Sequence, residues 1–90
     1  MNRADLVEQI AQSAEISKSA AERAVDALIG AVKATLRKDE MVTLVGFGTF
    51  YAGKRAARTG RNPQTGAALE IKAARLPKFR AGKALKEAIN

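Results

Sequence analysis

The sequence predicts an α+β domain: an N-terminal helical hairpin, a three-stranded antiparallel sheet drawn out into a long β-ribbon arm, and a short C-terminal helix. Three observations predict it. Apolar residues recur at helical spacing over residues 3–14 and again over 18–38. Strand-like stretches follow at 41–45, 49–52 and 69–76; in the last, Leu69, Ile71 and Ala73 alternate with Ala68, Glu70 and Lys72. Between the second and third lies Gly60-Arg61-Asn62-Pro63-Gln64-Thr65-Gly66, a dense cluster of turn formers.

Asn2 can cap the first helix, with Asp5 three residues on at the positive end of the helix dipole. Leu6, Val7, Ile10, Ala11 and Ala14 form its apolar stripe. Residues 15–17 read as a connection, with Ser17 as the next cap and Ser19 with Glu22 as a rival capping box. Ala21, Ala24, Val25, Leu28, Ile29, Val32 and Leu36 line the second helix. Gly30 interrupts it at a cost of about 1 kcal/mol relative to Ala, and Arg37 and Lys38 stand at the end where positive charge is favoured. So tight a link makes an αα-hairpin. Asp39-Glu40 then break to the first strand, Gly46-Phe47-Gly48 turn the chain, and residues 49–52 lead into the arm. Pro77 marks a bend or an edge position. Phe79 is expected to join Phe47 and Phe50 in one core, and Gly82 precedes a closing helix over 83–89 with Leu85 and Ile89 on one side.

Residues 55–75 carry Arg55, Arg58, Arg61 and Arg75 around the tip, where Gly60 and Gly66 can take positive φ and Pro63 fixes its own φ. Large apolar residues are too few to bury both faces, so the ribbon is expected to project. A projecting cationic ribbon needs a polyanion to order it, and double-stranded DNA is the first candidate.

At 90 residues the chain is one domain. It has no cysteine and no histidine, which excludes a disulfide framework and removes the commonest general base and metal ligands. No apolar run approaches the roughly 18 residues of a membrane span, and the polar N-terminus lacks a signal-peptide core. A cytoplasmic protein without membrane contact, metal or cofactor is expected. Residues 1–45 carry six Lys/Arg and seven Asp/Glu, for −1; residues 46–90 carry ten and two, for +8; the whole is +7. The near-neutral part suits a mainly helical folding and assembly body (1–45), and the basic part suits a polyanion surface. The bland alternative is a basic protein kept soluble by its charge. An enzyme is not expected: Glu70 and Glu87 are too few and too scattered for a two-metal carboxylate site.

Setting the arm aside leaves roughly 65–70 residues to build a core, a marginal size for a lone domain. Pairing with a second copy would bury the remaining apolar surface and present two arms about a two-fold axis, so an obligate dimer is expected.

Gly46-Phe47-Gly48-Thr49-Phe50, the tip motif at 60–66, and Pro77-Lys78-Phe79-Arg80-Ala81-Gly82-Lys83-Ala84-Leu85-Lys86 resemble the motifs of the bacterial histone-like HU/integration host factor family, in order and over essentially all 90 residues. The resemblance implies an intertwined dimer with a helical base, an arm over about 53–76 that embraces DNA from the minor groove, and a closing helix over 83–90. It implies a dimer core from Leu28, Ile29, Val32, Leu44, Phe47, Phe50 and Phe79. It places an intercalating wedge at Pro63, which from the residues alone could equally be a turn former. Arg55, Arg58 and Arg61 match arm positions that enter the groove or meet phosphate, and Asn62 can bond base edges. Lys72 and Arg75 on the returning strand, and Arg3 and Lys83 at helix starts, match phosphate contacts, with Arg80 a weaker candidate. Many members carry a basic residue where this chain has Gly53, a contact that is missing here or taken by Lys54. The implied function is an architectural protein of the nucleoid that bends duplex DNA with little sequence preference and favours nicked, gapped, bent or junction DNA. Its partner subunit is identical or a paralogue. The short stretch after the last helix favours HU over integration host factor. Sequence-specific bending of integration host factor type and RNA binding stand as alternatives.

Overall fold

The computed structural model describes residues 1–55, 58–61, 63–71 and 73–90, and at 55, 58, 59, 61 and 69–71 it describes the backbone alone. The chain divides into two compact units, Met1–Ala34 and Thr35–Asn90.

In the first unit, helix α1 (Arg3–Ala14) opens on a reciprocal capping box. The Asp5 N–H donates to Asn2 Oδ1 at 2.9 Å, and the Asn2 N–H donates to Asp5 Oδ2 at 3.2 Å. Two of the four orphan donors of the first turn are satisfied this way. Asn2→Ala is expected to cost about 1 kcal/mol, read as a lower urea midpoint at unchanged m-value. The helix closes on Glu15, held in the left-handed region at φ 56°. There the Glu15 N–H donates to the Gln12 carbonyl at 3.4 Å and the Ile16 N–H to the Ala11 carbonyl at 3.0 Å.

Helix α2 (Lys18–Arg37) starts where the Ala20 N–H donates to Ser17 Oγ at 3.1 Å, so Ser17 is the cap and the Ser19–Glu22 alternative is not used. It ends one residue short of expectation. Asp39, at φ 62°, repeats the closing pattern of Glu15, with its N–H on the Leu36 carbonyl and the Glu40 N–H on that of Thr35. The core of the first unit is small: Val7, Ala11, Ala21 and Val25, with Ile10 packed against them.

The second unit holds two sheets. Strands β1 (Val42–Leu44), β2 (Gly48–Arg55) and β5 (Ala74–Ala81) form an antiparallel sheet with β2 in the middle. Strands β3 (Arg58–Arg61) and β4 (Ala68–Ile71) form a two-stranded antiparallel ribbon. The expected first strand, 41–45, is trimmed to 42–44; at its C-terminal end the Phe47 N–H donates to the Leu44 carbonyl and draws Val45 into the turn. The returning strand runs further than the expected 69–76. Pro77 lies within β5 opposite Ala52, and β5 is an edge, so the missing N–H costs no ladder bond. The closing helix α3 (Lys83–Ala88) stops one residue before the expected end.

Phe79 is the hub of the larger sheet. Its ring centroid lies 5.3 Å from that of Phe47 and 4.8 Å from that of Phe50, both tilted by 47°. Gly48 is required beneath it: a Cβ there would stand 2.6 Å from the Phe79 ring and 2.5 Å from the Arg80 carbonyl oxygen. The predicted aromatic cluster therefore forms, but only one side of it is packed, and Phe79 is 41% exposed.

Candidate nucleic-acid interface

The ribbon is built on the larger sheet by register. In the β2–β5 ladder Phe50 opposes Phe79, Lys54 opposes Arg75 and Arg55 opposes Ala74. In the β3–β4 ladder Arg58 opposes Ile71 and Arg61 opposes Ala68. Two residues separate the ladders on each strand, so the pairing resumes beyond the gap in the register that it had before it. Within each ladder the register fixes which residues share a face, since a one-residue slip would exchange the faces. At the tip, residues 63–65 form the turn, the Ala67 N–H donates to Thr65 Oγ1 at 3.3 Å, and Gly66 takes φ 71°. Pro63 is exposed there.

Asn62 and Lys72 lie outside the described residues, as do the side chains of Arg55, Arg58 and Arg61. The other candidate cations are described, and most have intramolecular partners. Arg3 pairs with Asp26 across the helical hairpin. Lys83 reaches Glu87 at 3.8 Å one turn along α3. Lys54 stands 4.0 Å from Asp39. Arg75 Nη1 donates to the backbone carbonyls of Arg37 at 2.9 Å and Leu36 at 3.3 Å, which are orphan acceptors at the end of α2. Arg75 is a phosphate candidate by sequence, and nothing local to residue 75 announces a bond to a carbonyl 38 residues away.

Opposed residues of an antiparallel pair point to the same side, so the larger sheet has two unlike faces. Val42, Leu44, Phe50, Phe79, Lys54 and Arg75 share one; Thr43, Thr49, Tyr51, Lys78 and Arg80 share the other. The second face is polar. Thr43 Oγ1 lies 3.3 Å from Thr49 Oγ1, and the Arg80 guanidinium sits over the Tyr51 ring, 5.3 Å from its centroid. Lys78, exposed on this face, was not singled out from the sequence; strand alternation from Phe79 would have found it.

The residues assigned to a dimer core stand open in the single chain. Leu28, Ile29, Leu44, Phe47 and Phe79 are exposed, and Val32 and Phe50 are half-buried. Among the described residues no group of three or more acidic, Cys or His side chains could hold a metal ion, and no helix is long and apolar enough to cross a membrane.

The family model described as "Bacterial DNA-binding protein" matches residues 1–90. The chain is 61% identical over 89 residues to DNA-binding protein HU-beta of Neisseria meningitidis, covering 99% of this chain and 100% of that one. It is 58% identical to the HU-beta of Escherichia coli K12 over all 90 residues, covering the whole of both. The structure matches an Anabaena HU–DNA cocrystal with a TM-score of 0.90 at 39% identity, covering 99% of this chain and 97% of that one.

Proposed function

This chain belongs to the bacterial DNA-binding protein family, and from that premise we propose that it is a histone-like architectural protein that binds double-stranded DNA with little sequence preference, bends it and compacts the nucleoid. It works as a binding protein, not as an enzyme, in the cytoplasm. The observation that carries this reading is the single-register basic ribbon that ends in the exposed Pro63 turn. A two-stranded ribbon is narrow enough to follow a minor groove, and a proline ring at its tip is a rigid apolar wedge with no N–H to satisfy.

The acting unit is a dimer of this chain or of this chain with a paralogue. The open apolar residues support that assembly, Leu28, Ile29 and Val32 in the first unit and Leu44, Phe47, Phe50 and Phe79 in the second, since large apolar side chains left in water mark an interaction surface. Residues 1–90 act as one domain, with 1–45 as the dimerisation body, about 53–76 as the arm and 83–90 as the closing helix. Arg55, Arg58, Arg61 and Asn62 enter the groove near the wedge. Lys72, Arg80, Arg3 and Lys83 meet phosphate, the last two after exchanging Asp26 and Glu87 for it. Inserting Pro63 unstacks a base step, and the kink brings flanking phosphates towards the body. Nicked, gapped and junction DNA has already lost stacking, so its deformation costs less and it binds more tightly.

A competition gel shift tests this. Labelled nicked duplex is challenged with intact duplex and with duplex RNA, for the wild type and for Pro63→Ala. Preference for nicked DNA is expected, and Pro63→Ala is expected to weaken binding by about 1–2 kcal/mol, roughly tenfold. Equal competition by all three nucleic acids, unchanged in the variant, would leave Pro63 a turn residue and the protein a generic cationic binder.

A further inference from the structure

We infer that the root of the ribbon meets DNA phosphate with its Lys78–Arg80 face, and that Lys54 and Arg75, on the opposite face, are positioning residues that hold the arm to the end of α2 and leave phosphate alone. The inference rests on the DNA-binding reading above and takes Lys54 and Arg75, phosphate candidates by sequence, out of the contact set.

The first observation is how the four root cations are occupied. Lys54 and Arg75 are direct cross-strand partners, and both are engaged at the C-terminal end of α2. Arg75 supplies two hydrogen bonds to the Arg37 and Leu36 carbonyls. Lys54 approaches the Asp39 carboxylate, one step past the same terminus. The end of α2 carries the negative pole of the helix dipole and a left-handed acidic residue, so it is unfavourable unless cations cover it. Two opposed cations from a ribbon meet that need and fix the ribbon to α2 at the same time. Drawing Arg75 to a phosphate would give up two hydrogen bonds at the negative pole of α2, which offsets part of what the contact gains.

The second observation concerns the other face. Among the described residues the Lys78 side chain has no hydrogen bond and no ion pair. Its stem crosses Gly53: a Cβ on Gly53 would lie 2.7 Å from Lys78 Cε, 2.8 Å from Cδ and 3.3 Å from Nζ. Gly53 pairs with Leu76 and Lys78 with Tyr51, so the stem runs diagonally along the ribbon towards the arm. Any side chain at 53 would displace it. Glycine therefore brings the ammonium of a neighbouring strand to a position that its own residue leaves without charge. Arg80, stacked on Tyr51 two residues away, shares the face. The expectation that Lys54 makes up for the uncharged Gly53 is replaced here by Lys78.

The dependence of affinity on salt separates contact from positioning, because each lost phosphate contact lowers the slope of log K against log salt by about 1. The protein is titrated with intact duplex DNA between 50 and 300 mM KCl, with the bend read by end-to-end fluorescence transfer. Lys78→Gln is expected to lower the slope by about 1 per subunit while leaving the melting temperature in place. Moving the charge, as Gly53→Lys with Lys78→Ala, is expected to restore it. Lys54→Gln and Arg75→Gln are expected to keep the wild-type slope but lower the melting temperature and reduce the bend. Asp39→Asn, which removes no cation, is expected to reproduce the Lys54→Gln bend, and the pair together to add nothing further. A wild-type slope for Lys78→Gln, or a slope lowered by about 1 in both Lys54→Gln and Arg75→Gln, overturns the assignment. Failure of the wild type itself to bind duplex DNA would instead refute the DNA-binding reading.

Discussion

Phe79→Ala is expected to lower stability by about 3–5 kcal/mol, the cost of removing a phenylalanine from a closed core. Phe79 touches both Phe47 and Phe50, and its ring covers Gly48, so no neighbour can collapse into the space without moving the β2 backbone. The magnitude also reports on assembly. In a lone chain a ring 41% exposed has already lost much of its burial, and truncating it would cost about half as much. The full cost follows only if a second copy covers the open side. Urea unfolding at two protein concentrations reads both quantities. The wild-type midpoint is expected to rise with concentration, as for any obligate dimer, and Phe79→Ala to lower it at every concentration. A concentration-independent midpoint together with a cost near ~2 kcal/mol would mean that this face stays in water.

Raising salt from 50 to 200 mM is expected to weaken duplex binding by about 10³-fold or more, as for a protein that neutralises 6–10 phosphates. The expected slope of log K against log salt is about −5 to −9 for the dimer. On the proposed reading, three arm arginines per subunit are expected to supply the greater part of it. The body adds less than its cation count suggests, because Arg3 and Lys83 enter the reaction already paired with Asp26 and Glu87. Exchanging a carboxylate for a phosphate leaves a bare acid that takes up a counterion, which offsets part of the release. Gel shifts at four salt concentrations suffice. A slope shallower than about −3 would be too small for two arms and would move the binding energy to apolar contact.

Much of the architecture was legible because its causes are local. Asn2 and Ser17 cap helices by reaching three residues along the chain. The stripe through Val7, Ala11, Ala21 and Val25 is the buried core of the hairpin. Pro63 falls in the tip turn and Pro77 on an edge strand, as a residue without an N–H requires. Where element ends differ, at residues 38, 45 and 89, the cause is a carbonyl captured by a turn or cap, which propensity does not register. The cations are a different matter. Composition shows that the second half is basic, and the family resemblance nominates Lys54 and Arg75 alongside Arg80. It could not show that the first two face the end of α2 while Lys78 lies across Gly53.

The sequence by itself determined the helical hairpin, the three strands, the tip turn, the charge division and the family, since each rests on periodicity, caps or contiguous motifs. Only the tertiary structure decided which cations are spent inside the molecule and which stay free. Arg75 is paired with carbonyls 38 and 39 residues away, and Lys54 with a carboxylate 15 residues away. Those pairings follow from the register of β2 on β5, which sends neighbouring residues to opposite faces and sets one face against a helix terminus.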